Sequence, residues 1–204
     1  MKLTTLALAL AFLVPTLASA EEGKSTTDKT KPAQTDKDTK KTEKAAKLGE
    51  SDVKIVAHVH HVNMAEIDMG KRAQKVGTAE VKRYGEMIVN EHQAADKELV
   101  SFAKQRGVAK IPAKQAENDA EKTEMKQRKD SMAGLEKLKG ADFDREFLRI
   151  VVDSHDKEMA KSDQLISTAT DAELKTMLEN RKTVLQRQSD KAKELQKGGA
   201  QATK

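Results

Sequence analysis

Two histidines and two glutamates, Glu66, His92, His155 and Glu158, are the side chains of this sequence whose types and spacing could do chemistry together. Imidazole and carboxylate form a donor set that suits Zn, Fe, Mn or Cu. Glu158 lies one helical turn beyond His155, so the two share a helix face. A di-iron centre of the ferroxidase kind would want a Glu-x-x-His pair on each of two helices. Here Val89 stands three residues before His92 and Val152 three before His155, so a single divalent ion is the metal that the pattern suits. A second group, His58, His60 and His61, reads differently. His58 and His61 fall on the polar face of their segment, where they form either a weak divalent-ion site or an exposed, incidental pair. Met64, Met87 and Met159 read as core filler rather than soft-metal ligands. There is no cysteine, no Gly-rich phosphate loop and no Gly-x-Ser-x-Gly elbow, which removes thiolate chemistry and leaves no positive case for a hydrolase or transferase. An enzyme is therefore the less favoured class.

These four residues need helices to hold them. Apolar periodicity from residue 51 onward predicts helices over Asp52 to Val76, Thr78 to Arg106, Lys114 to Lys139, Asp142 to Ala169, and from a Thr170–Glu173 capping box to near Gly198. The third is weak, with only Met125, Met132, Leu135 and Leu138 as its stripe. Short connections at Gly77 and Thr170 make the first and last pairs antiparallel hairpins, and the middle segment must link them. The expected fold is all-α, a ferritin-like four-helix bundle with one long crossover carrying an additional helix.

On helical wheels, Glu66 falls among Ile55, Val59, Val62 and Met69, with Asn63 at the edge of that stripe. His92 falls among Tyr84, Ile88, Ala95 and Leu99, flanked by Glu91. His155 and Glu158 join Phe147, Val151 and Ser162, and Gln188 and Arg181 join Leu178 and Leu185. Glu66, His92, His155 and Gln188 each lie near the midpoint of a segment, and antiparallel helices of equal length share a level there. One layer can thus collect all four, with Glu158 one turn away. Two readings of the layer fit. In one, the polar groups satisfy one another and fix helix register, with a buried ion pair from Arg181 to Glu66 or Glu158. In the other, Glu66, His92, His155 and Glu158 hold a divalent metal ion.

The remaining sequence sets the context. Lys2, the apolar run Leu3 to Leu13, Pro15 and Ala18-Ser19-Ala20 have the pattern of a cleavable signal peptide with a cut after Ala20. That run is shorter than the roughly 20 apolar residues of a membrane span. Residues 1–20 are thus expected to be a signal peptide and 21–50 a disordered charged linker. The helical domain is expected over 51–197, with a disordered tail at 198–204. The location expected is periplasmic or secreted. Charged residues are 35% of the chain, aromatics 2%, and the net charge of +5 is spread over both signs. Such a surface excludes the single-sign stripe of a nucleic-acid binder and leaves the charged arm as the place for an envelope-surface or protein partner.

The ordered run Asn63-Met64-Ala65-Glu66-Ile67, Val81-Lys82-Arg83-Tyr84, Met87 to His92, Gly107-Val108, Pro112, Phe143 to Leu148 and His155 resembles a bacterial exported family of unknown function. That family is often labelled "predicted outer membrane protein". The resemblance covers about residues 52 to 196. It implies a ferritin-like helical domain in the periplasm or envelope and supplies no activity. Family members commonly carry Asp where this chain has Glu91, and a Leu-Pro and then a His in the last helix where it has Lys182-Thr183 and Gln188.

Overall fold

The computed structural model describes residues 46–202, with side chains through residue 199; the expected signal peptide and the arm before residue 46 lie outside them. The described residues are all-helical, in five helices: α1 (Glu50–Val76), α2 (Ala79–Gln105), α3 (Asp119–Leu135), α4 (Gly140–Thr168) and α5 (Ala172–Ala202). No strand occurs among them.

Four long helices follow from four long stripes of Val, Ile, Leu, Met and Phe at helical spacing. α1 packs along α2 and α4 along α5, while the α2/α5 seam is much sparser. The α1–α2 hairpin closes tightly because its crossing is made at glycine. A β-carbon on Gly70 would sit 2.8 Å from the Gly85 carbonyl, and one on Gly85 would sit 2.7 Å from the Ala73 methyl.

Two aspartates clasp the hairpins together at opposite ends. Buried Asp52, at the start of α1, accepts from the Thr170 amide (2.8 Å), the Thr170 hydroxyl (2.6 Å) and the Asp171 amide (3.0 Å). Asp144, at the start of α4, accepts from the Thr78 amide at 3.1 Å. The start of α1 therefore lies beside the end of α4, and the start of α4 beside the start of α2. The long helices run up, down, down and up. Between the clasps lie two apolar clusters. One gathers Met69, Tyr84, Ile88, Phe143, Phe147 and Val151. The other gathers Ile55, Val59, Leu99, Phe102, Leu174 and Leu178. Leu48 packs against the second, and its amide bonds the Arg106 carbonyl at 3.2 Å, so chain ahead of α1 is already anchored.

The crossover differs from the sequence expectation. α3 starts at Asp119 rather than near Lys114, because Asn118 caps it through the Glu121 amide (2.9 Å). The Glu121 carboxylate reaches back past the cap to the Glu117 amide at 3.0 Å and so ends the extended connection there. Leu135 is the only buried residue of α3. Gly140, with φ of +58°, opens α4 instead of closing α3. In α5 the cap is Asp171, whose carboxylate accepts from the Glu173 and Leu174 amides at 2.9 and 3.1 Å; Thr170 is taken up by Asp52. α5 runs on past Gly198 to Ala202. Met64 is 41% exposed rather than inward, and Ala95 is likewise exposed.

Candidate functional site

Between the two apolar clusters the helices bring polar side chains to one level. His92 of α2, His155 of α4 and Gln188 of α5 are buried and share one oxygen. The Gln188 Oε1 atom lies 2.8 Å from His155 Nε2 and 3.3 Å from His92 Nε2. The amide is oriented by its other end, where Nε2 donates to Glu91 at 2.7 Å, and Glu91 is held in turn by Arg187 at 2.8 Å. Tyr84 donates its hydroxyl to the Gln188 backbone carbonyl at 2.8 Å. On the far side of His92, Nδ1 lies 3.1 Å from Oδ1 of buried Asn63. Burial lowers the His92 pKa, and the His155 and Arg181 charges add to this against the opposing Glu66 charge. The ring is therefore neutral at pH 7 and has one N–H. With His155 donating to Gln188 at the shorter distance, the His92 proton belongs on Nδ1, facing Asn63.

Glu66 of α1 occupies the same layer, 2% exposed. Its Oε1 accepts from Ser154 at 2.9 Å and lies 3.8 Å from His155 Nδ1, while its Oε2 is buried with no partner among the described residues. Ser154 Oγ is also 3.3 Å from His155 Nδ1.

Glu158 stands apart from this chain of contacts. It is 1% exposed and sits at the centre of a cationic shell: His58 Nε2 at 2.9 Å, Arg181 Nη2 at 2.8 Å and Arg128 Nη2 at 3.4 Å. Burial pushes its carboxyl up, but the His58 hydrogen bond and the Arg181, His58 and Arg128 charges outweigh this and hold it well below the usual carboxylate range. His58 thus leaves the polar face expected for it. It is buried against Glu158, whereas His61 is exposed, so the two do not form a surface pair. His60 turns the other way, to Asp96 at 2.7 Å.

Of the four residues singled out by chemistry, the fold brings Glu66, His92 and His155 to one layer with Gln188, and places Glu158 in a separate ion cluster. Arg181 pairs with Glu158, not Glu66. Among the described residues no three His, Asp or Glu side chains are gathered as a group that could hold a metal ion. Sequence reasoning missed the parts played by His58, Ser154 and Arg128. Ser154 lies next to His155 in the chain, just off the inward stripe, and Arg128 sits on a helix whose few apolar residues hid which face it turns inward.

The family described as a domain of unknown function (DUF4142) matches residues 37–195, most of the chain, and the chain belongs to it. No curated protein and no solved structure matches the chain.

Proposed function

We propose that this DUF4142 member is an exported cell-envelope protein with a non-enzymatic structural or binding role, built on a ferritin-like four-helix bundle whose central polar layer fixes helix register. The up-down-down-up course with a helix in the crossover supports the ferritin-like reading. The observation that carries the register role is the Gln188 amide. Its oxygen accepts from His155 of α4 and its nitrogen donates to Glu91 of α2, while His92 of α2 reaches Asn63 of α1 and Ser154 of α4 reaches Glu66 of α1, so all four long helices join one chain of hydrogen bonds. Sliding any helix by one residue would leave these buried groups unpaired, at about 1–3 kcal/mol each. Two apolar clusters alone would tolerate such slips far better. Export is supported by the Lys2, Leu3–Leu13 and Ala18-Ser19-Ala20 pattern, and the charged arm of residues 21–50 offers the surface for an envelope partner.

One observation favours a second reading, periplasmic metal binding or metal-dependent redox chemistry. The orphaned Glu66 Oε2, with His155 Nδ1 and Ser154 Oγ beside the same carboxylate, is the donor set a divalent cation would use. Incubating the purified protein with Fe, Zn, Mn, Cu and Ni, removing excess, and measuring bound metal and melting temperature separates the two. The register reading expects no stoichiometric metal and a melting point unmoved by chelator. Stoichiometric retention that Glu66→Ala or His155→Ala abolishes would decide for the metal. Mass measurement of the protein recovered from the envelope tests export, with Glu21 expected as the first residue.

A further inference from the structure

The sparse α2/α5 seam opens into a cavity of about 360 Å³. Its lining is mostly apolar: exposed Ala95 from α2 and half-buried Met177 and Val184 from α5 form the open surface, with buried Leu99, Leu174 and Leu178 behind them. His92 and Gln188 of the polar layer reach it, and so does Arg181. The Arg181 side chain is nine-tenths buried and spends only Nη2, on Glu158; Nε and Nη1 are buried with no acceptor among the described residues. Its one carboxylate partner, Glu158, is shared with the Arg128 guanidinium and the His58 imidazole. A buried guanidinium with unmet N–H groups calls for a further acceptor, which an anion supplies. The apolar walls call for a hydrophobic body behind it, and the volume falls in the range of ordinary small-molecule sites. Two carboxylates line the cavity and neither bonds Arg181: Glu91 is engaged by Arg187 and Gln188, and Glu98 is exposed on α2.

We propose that the α2/α5 cavity binds an amphipathic monocarboxylate of fatty-acid type, its carboxylate paired with Arg181 and its chain laid against Ala95, Met177 and Val184. This deepens the binding half of the function proposed above by naming the ligand class. Exposed Ala95 and half-buried Val184 give the chain its entry along the sparse α2/α5 seam.

Isothermal titration of the purified protein with decanoate, below its micelle concentration, tests the site. Saturable one-to-one binding is expected. Decanol and decylammonium should bind at least about tenfold more weakly, equivalent to about 1.4 kcal/mol, and acetate and inorganic phosphate should not saturate. Arg181→Gln should lose decanoate by a similar factor. Should Arg181→Gln fail to fold, Ala95→Trp at the exposed wall leaves the Glu158 cluster intact and should block decanoate by filling the cavity. Decanoate binding no tighter than decanol, or unaffected by both substitutions, overturns the assignment, as does the absence of saturable binding by a protein that melts cooperatively. Those results leave the structural role standing. Decanoate bound but chemically altered on recovery would keep the site and overturn the non-enzymatic reading instead.

Discussion

Glu158 carries the largest single-residue consequence. Glu158→Gln removes the only carboxylate from a shell of Arg181, Arg128 and His58. Removing one partner from a buried pair costs about 3–5 kcal/mol, and the low end is expected here because Arg128 is about one-fifth exposed. Urea unfolding of the variant should show that loss with an unchanged slope. Among the depressed pKa values, those of two buried groups, His92 and Glu158, carry the pH dependence, and His61, also lowered by burial, adds in the His92 window. For His92 the folded pKa lies below the unfolded 6.5, so its contribution is present above that pH and is lost as pH falls through the folded value, because the unfolded chain binds the proton first. For Glu158 the same sign applies below 4.5. Stability should therefore decline from about pH 6.5 and fall again below about 4.5. Urea midpoints of His92→Gln measured from pH 8 to 5 should be flatter than wild type; equal slopes would remove His92 as the cause. Glu66, His92, His155 and Gln188 were legible as one layer because helical phase and depth along the axis are both countable from the chain. Glu158 has the right phase too, but one turn of axial offset is enough to hand it to Arg181 and His58. Wheel positions do not show which neighbour a long arginine will reach.

At the scale of the element, the glycine contact between α1 and α2 makes a testable opposition of two effects. Ala is the better helix former by about 1 kcal/mol, so helix propensity alone would have Gly85→Ala stabilise α2. The new methyl would instead lie 2.7 Å from the Ala73 methyl and 2.8 Å from the Gly70 carbonyl, where backbone must move. Overpacking of that kind costs about 1–3 kcal/mol, so the net change should be a lower melting temperature. Gly134→Ala is the control. It lies inside α3 with nothing within 4 Å of the added carbon, and it should raise stability by up to about 1 kcal/mol. A rise for both variants would mean that the hairpin relaxes without penalty. The four long helices were readable from their stripes to within a few residues at each end. The caps were less so, because Thr170 and Asp171 are both good cap residues and the choice was made by a distant side chain, Asp52.

For the whole molecule, two short connections and one long one were enough to give the order of helices, and the clasps at Asp52 and Asp144 explain why the hairpins meet as they do. α3 was the weak point of the sequence reading for the same reason that it should be the weak point of the fold. Its polar surface carries little periodicity, and a helix with one buried residue gains little from docking. Native proteins open in such units at a free energy below global unfolding. Hydrogen exchange should therefore show amides of 119–135 losing protection first, well before those of α1, α2 and the middle of α4, with the C-terminal part near Leu135 slowest within α3. Leu135, 1% exposed and packed with the cluster of Phe143 and Phe147, is the anchor. Leu135→Ala, at a cost of about 2–5 kcal/mol, should leave α3 nearly unprotected while the core amides keep their order. Since Arg128 reaches Glu158 from α3, undocking also strips one cation from that carboxylate, so in the variant the acid-side loss of stability below about pH 4.5 should be smaller and complete at a higher pH. Uniform loss of protection across all five helices would instead make α3 an inseparable part of one cooperative unit.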